Sequence, residues 1–237
     1  MRHTYDPRTN VGMDKLWHAD PTLERFIRHT IAAVKPDCFV ETGTFMGWTS
    51  GWLAENYPEI QVHTVEIDDD FYQRSGENLA PFPNVRRAHD HSVNFLWKLL
   101  PELRGKLSLF WLDAHWYPPP PLREECRIVA TLDRYVCLLD DFQCYAPDFN
   151  GDIFYSMGQT KGDAYKNDLS YTASEFGAAS HYRPNYQPRP GFNGVGCFIK
   201  GVDYVPPLEF MRPEDAGAFL RQRPASPFPL HPSFEVR

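Results

Sequence analysis

Short apolar runs alternate with helix-like stretches from residue 38 onward, and this alternation restricts the fold more than any other property of the chain. Runs 38–41, 62–67, 107–112 and 135–139 are brief and at least half apolar and 84–88 is a weaker run in the same series, whereas 48–57, 69–79, 93–100 and 122–132 read as helices. Strand and helix in succession predict a mainly parallel sheet with helices on both faces, the doubly wound, Rossmann-like α/β architecture. One more helix precedes the series. Asp20 is placed to cap it, Pro21 fits its first turn, and Leu23, Phe26, Ile27, Ile31 and Val34 recur at helical spacing. After residue 142 the pattern dissolves into a stretch rich in Gly, Asn, Asp, Pro and Tyr, and 196–200 then reads as a late strand, expected to be antiparallel. A structureless loop much beyond ~15 residues in a compact domain is usually functional, so 143–194 is expected to be an active-site insertion.

A length of 237 residues suits one domain over 1–237: an N-terminal helical segment (1–35), a core (36–142), the insertion, and a last strand with a Pro-rich tail (195–237). The net charge of −7 speaks against nucleic acid as the main partner. Five cysteines form an odd set without CxxC spacing, most of them in apolar runs, as in a reduced, cytoplasmic protein. No segment approaches the ~20 apolar residues that span a bilayer, and residues 1–6 lack the apolar stretch of a signal peptide, so no membrane partner is expected.

Ligands of open α/β sheets bind beyond the carboxyl ends of the strands. After the first strand stands Glu41-Thr-Gly43-Thr44-Phe-Met-Gly47-Trp-Thr49. Its glycines let backbone approach a ligand, and the next helix presents unpaired N–H groups. The spacing Glu-x-Gly-x-x-x-Gly disfavours a dinucleotide pyrophosphate and suits a cofactor whose near end is an amino acid, with Glu41 meeting its ammonium group. At the second strand end, Glu66-Ile67 offers a carboxylate to ribose hydroxyls. One strand later, Asp90-His91-Ser92 occupies the place of an adenine, and Ser92 also reads as a helix N-cap. Each motif has a plain reading: turn chemistry, a solvated strand tip, a cap. Their arrival once per strand favours a cofactor over an NAD-binding or ligand-free α/β domain.

Over 36–142 these residues resemble the class I S-adenosylmethionine-dependent methyltransferases. The resemblance names the cofactor as S-adenosylmethionine and the activity as methyl transfer; composition does not.

Two further apolar runs end in carboxylates: Leu107-Ser-Leu-Phe-Trp-Leu-Asp113 and Val136-Cys-Leu-Leu-Asp140-Asp141. Three acids at one sheet edge repel one another unless some are protonated or a cation sits among them, and all-oxygen ligands suit Mg2+, Mn2+ or Ca2+. The pattern resembles metal-dependent O-methyltransferases, the macrocin-type sugar enzymes and more distantly the catechol enzymes. That resemblance implies Asp113, Asp140 and Asp141 as ligands of one divalent ion, Mg2+ first. The plain alternative has Asp140 or Asp141 capping the next segment and Asp113 touching only the cofactor or a helix end.

His115 follows Asp113 by two residues and can take a proton at neutral pH, so His115 and Asp113 are the expected catalytic pair. Related sugar enzymes usually carry an acid at this position; the departure leaves base, metal ligand and loop residue all open for His115. By resemblance the acceptor is a sugar or natural-product hydroxyl, with the tyrosines of the insertion available to stack on it. A hydroxylase-like metal enzyme and a non-catalytic S-adenosylmethionine-binding module remain as alternatives. Oligomeric state is left open, with the insertion and tail as candidate contact surfaces for a homo-oligomer.

Overall fold

The structure, a computed structural model, describes residues 16–114, 121–142, 175–177, 179–186 and 194–213. A 3-10 turn, Leu16–Ala19, leads into α1 (Pro21–Val34). Asp20 caps α1 as expected, its Oδ1 accepting from the Thr22 and Leu23 amides at 2.8 and 3.2 Å. The core then runs β1 (Cys38–Thr42), α2 (Trp48–Asn56), β2 (Gln61–Glu66), α3 (Asp69–Leu79), β3 (Val85–His89), α4 (Ser92–Leu103), β4 (Ser108–Leu112), α5 (Leu122–Ala130) and β5 (Tyr135–Phe142). Three strands complete it: β6 (Ser180–Pro184), β7 (Gly194–Lys200) and β8 (Met211–Pro213).

The eight strands form one sheet in the order β3-β2-β1-β4-β5-β7-β6-β8. The first five pair in parallel, and β7 joins β5 antiparallel, as do β6 with β7 and β8 with β6. The Rossmann-like, mainly parallel sheet with a late antiparallel strand is therefore observed. Two strands exceed the expectation: β6 lies inside the stretch read as an insertion, and β8 inside the Pro-rich tail.

Apolar residues on alternate positions of the strands feed two cores. On one face Phe39, Val62, Leu109 and Leu138 pack with Phe26 and Ile27 of α1 and Leu53 of α2; on the other, Val40, Val65, Phe110 and Leu139 pack with Leu96 of α4 and Cys126 of α5. The direction of the sheet reverses where the chain passes from β3 to β4, so the switch point lies between β1 and β4. The residues that follow these two strands are thus the ones a bound ligand meets. Among the described residues no helix is long and apolar enough to cross a membrane. Four cysteines, Cys38, Cys126, Cys137 and Cys197, are buried free thiols.

Candidate active site

The turn from β1 to α2 is fastened to β2. Gly43 and Thr44 both donate their amides to the Val65 carbonyl at 3.0 Å, and the Asp113 amide returns to the Thr42 carbonyl at 3.1 Å. Gly43 takes φ +84, and a Cβ there would stand 3.0 Å from the Asp113 carbonyl oxygen, so glycine is required for both backbone angle and room. Gly47 caps α2 in the left-handed region, with Leu79 of α3 filling the space a side chain would need. Phe45 also sits at positive φ (49°), a conformation that costs a non-glycine residue about 1 kcal/mol or more. Its amide donates to Glu66 Oε2 at 2.7 Å and its ring packs on Phe71 and Trp48, with centroids 4.5 and 5.3 Å away, which offsets that strain.

The carboxyl ends of β1, β2 and β4 enclose a cavity of about 230 Å³. Glu41, Gly43, Thr44 and Thr49 line it from the β1 turn; Glu66 and Ile67 from the end of β2; His91 and Ser92 from the start of α4; Asp113 from the end of β4. Nine of the expected site residues therefore face one space. Gly47 does not face it and shapes the turn instead. Phe45, Trp48 and Phe71 form an aromatic wall that the sequence reading omitted. Aromatic residues beside a glycine turn were the available signal.

The two buried glutamates are satisfied in different ways. Glu41 Oε2 accepts from Ser50 Oγ and Thr64 Oγ1, each at 2.6 Å. Burial pushes the Glu41 carboxyl up to about 8, the two hydroxyls pull against that rise, and the like charges of Asp113 and Glu66 add to it. Glu66 takes backbone donors: Oε1 accepts from the Ile67 and Asp68 amides at 2.9 and 3.0 Å, and Oε2 from Phe45.

At the third strand end the N-cap of α4 is His91, whose Nδ1 accepts from the Val93 amide at 3.2 Å. Ser92 is the first residue of the helix, which corrects the expectation that Ser92 caps it. The imidazole reaches the amide two residues on, while the Ser92 backbone is already helical. Asp90, also lining the cavity, binds Lys98 Nζ at 2.6 Å, an ion pair that holds its carboxyl below the usual range.

Of the expected metal ligands, Asp113 and Asp140 follow the paired Leu112 and Leu139 and stand on neighbouring strands. Asp140 is buried but does not line the cavity. Leu139 faces Gly196 and Phe142 faces Gly194, so Asp140 and Asp141 occupy a β-bulge in which β5 carries one residue more than β7. The side chain of Asp141, and all of His115, lie outside the described residues. Among the described residues no three His, Cys, Asp or Glu side chains are grouped to hold a metal ion.

No protein-family model matches the sequence, and no curated protein matches it. Solved structures do. A candidate O-methyltransferase from Klebsiella pneumoniae superposes with a TM-score of 0.55 at 18% identity, over 77% of this chain and 81% of that one. The Bacillus cereus O-methyltransferase in complex with SAH gives 0.53 at 15% identity, over 76% and 81%. TomG from Streptomyces achromogenes, an O-methyltransferase of tomaymycin synthesis in complex with SAM, gives 0.50 at 18%, over 75% and 80%. Likeness at this identity establishes a shared fold alone, the Rossmann-like sheet that those O-methyltransferases also have.

Proposed function

We propose that the chain is an S-adenosylmethionine-dependent O-methyltransferase acting on the hydroxyl of a small molecule, a sugar or a natural product. The observation that carries this reading is the single cavity at the switch point with acidic residues from successive strand ends: Glu41, then Glu66, then Asp90 beside His91. That order follows the groups of a cofactor with an ammonium group at one end, a ribose in the middle and an adenine at the other. The donor set fits it. Glu41 receives the ammonium group, the remaining acceptor capacity of Glu66 receives ribose hydroxyls, and Asp90, His91 and Ser92 border the base. The aromatic wall of Phe45 and Phe71 excludes water from the same space. When bound, the cofactor supplies a sulfonium methyl group, which an acceptor oxygen takes while the sulfur leaves as a neutral thioether. The chain's part is to hold donor and acceptor in line and to accept a proton. Asp113, at the edge of the cavity, and His115 two residues on are the groups assigned to that proton.

Calorimetry with S-adenosylmethionine, followed by a tritium methyl-transfer assay over glycans and small phenols, tests the proposal. Binding with transfer to at least one acceptor is expected. Binding without transfer to any acceptor would leave a non-catalytic module, and no binding would sink both. Transfer that survives EDTA keeps the reading as stated; transfer lost to EDTA and restored by Mg2+ adds the ion, with Asp140 and Asp141 as the carboxylates to substitute.

A further inference from the structure

The hydroxyls around Glu41 have one consistent direction. Ser50 Oγ and Thr64 Oγ1 donate to Glu41 Oε2, and Thr64 Oγ1 also stands 2.6 Å from Thr44 Oγ1. A hydroxyl carries a single proton, and that of Thr64 is committed to Glu41, so Thr44 donates to Thr64. All four residues are buried, Ser50 and Thr64 at 0% exposure. Both donors that reach the carboxyl fall on Oε2, while Glu41 also lines the cavity, which leaves Oε1 as the oxygen an incoming group meets. The charged groups that face this carboxyl are Glu66 from β2 and Asp113 from β4, both of its own sign; α2 contributes the neutral Ser50.

We infer that Thr44, Thr64 and Ser50 form a positioning relay that makes cofactor capture a proton-linked event: with Oε2 occupied by hydroxyl donors, the carboxyl proton of Glu41 resides on Oε1, and an ammonium group entering there displaces it to solvent. One O–H bond is broken, the proton goes to water, and the carboxylate that remains pairs with the cation. The inference rests on the cavity being an S-adenosylmethionine site and goes beyond it by giving Ser50 and Thr64 a role in capture. Burial of Glu41, which raises its carboxyl to about 8, keeps the proton in place near neutrality in the free protein.

The test uses S-adenosylhomocysteine, which keeps the ammonium group and undergoes no transfer. Calorimetry in two buffers of different ionisation heat reads protons exchanged on binding: release close to one at about pH 7, turning to net uptake at about pH 9.5, where Glu41 is already ionised and the ligand's own amine must gain a proton to enter as an ammonium. Thr64→Val removes a donor from the carboxylate and is expected to weaken binding about tenfold at neutral pH, with the variant-to-wild-type ratio of Kd shrinking towards one in alkali. Taking the ratio cancels the titration of the ligand's own amine. Thr64→Ser, which restores the hydroxyl, returns both affinity and pH profile, and Ser50→Ala moves them as Thr64→Val does. 5′-Methylthioadenosine, which lacks the amino-acid end, is expected to bind without proton release and without regard to Thr64. Proton release near zero at neutral pH, or a Thr64→Val effect that does not vary with pH, overturns the relay while leaving the cofactor site standing. Failure of both ligands to bind the wild-type protein at any pH overturns the site, and the relay with it.

Discussion

Glu41 and Glu66 end adjacent strands and border the same cavity, yet one is held by side-chain hydroxyls and the other by backbone amides. The difference teaches where this fold keeps its adjustable parts. The amides on Glu66 belong to the turn after β1 and to the start of the β2–α3 connection, so that carboxylate is a structural tie between two loops as well as the proposed ribose acceptor. The hydroxyls on Glu41 can be removed one at a time without disturbing the backbone, so that carboxyl is the one whose protonation can be tuned.

Glu41→Gln bears on this contrast most strongly. A carboxyl at about 8 in the folded chain and 4.5 when exposed binds more protons folded than unfolded between those values. The stability of the wild-type protein therefore falls as pH rises from about 4.5 to about 8 and levels off beyond, whereas the Gln variant lacks that slope. Urea unfolding of the ligand-free proteins across this range is expected to show a gap that opens towards alkaline pH, on the order of 5 kcal/mol. A gap that does not depend on pH would erase the distinction between the two glutamates. Glu66→Gln comes next: whichever way the carboxamide turns, an NH2 meets a backbone donor, costing about 2 kcal/mol in urea unfolding and weakening S-adenosylmethionine roughly a hundredfold in calorimetry. Gly43→Ala, placed between the two, forces a Cβ against the Asp113 carbonyl at a strained φ; a loss of about 1–2 kcal/mol is expected by thermal or urea unfolding. The smallest effect belongs to the third strand end. His91→Ala removes the α4 cap at about 1 kcal/mol, and His91→Asn, a good cap, stays within a few tenths of wild type.

The five parallel strands were legible because β1 and β4 are unbroken buried runs, β5 is buried from Tyr135 to Asp140, and α3, α4 and α5 show a one-sided helical period, whereas α2 lacks one. β6 and β8 were not. Each contains a proline, Pro184 and Pro213, and β8 is only three residues long, so neither carries the apolar signal that a central strand must. Glu41, Glu66 and Asp113 stood out in the sequence because an acid that closes an apolar run needs a compensating partner. Ser50 and Thr64 did not, since a hydroxyl within a helix or strand is ordinary and only its neighbour in space makes it chemical. The backbone of Phe45 lay beyond reach for another reason: a left-handed phenylalanine leaves no mark in the sequence, whereas the glycines flanking that turn do. At Ser92 the cap preference pointed one residue too far, because histidine is an uncommon cap and its imidazole reached the amide first.

The contact between Gly43 and the Asp113 carbonyl has a mechanical consequence. With no room for a side chain at 43 and the Asp113 amide bonded to the Thr42 carbonyl, the loops that leave β1 and β4 towards opposite faces of the sheet are keyed together at their first residues, which form the floor of the cavity. On the proposed function, a methyl donor held against that floor keeps its heading when residues beyond Ala114 are substituted to suit a different acceptor.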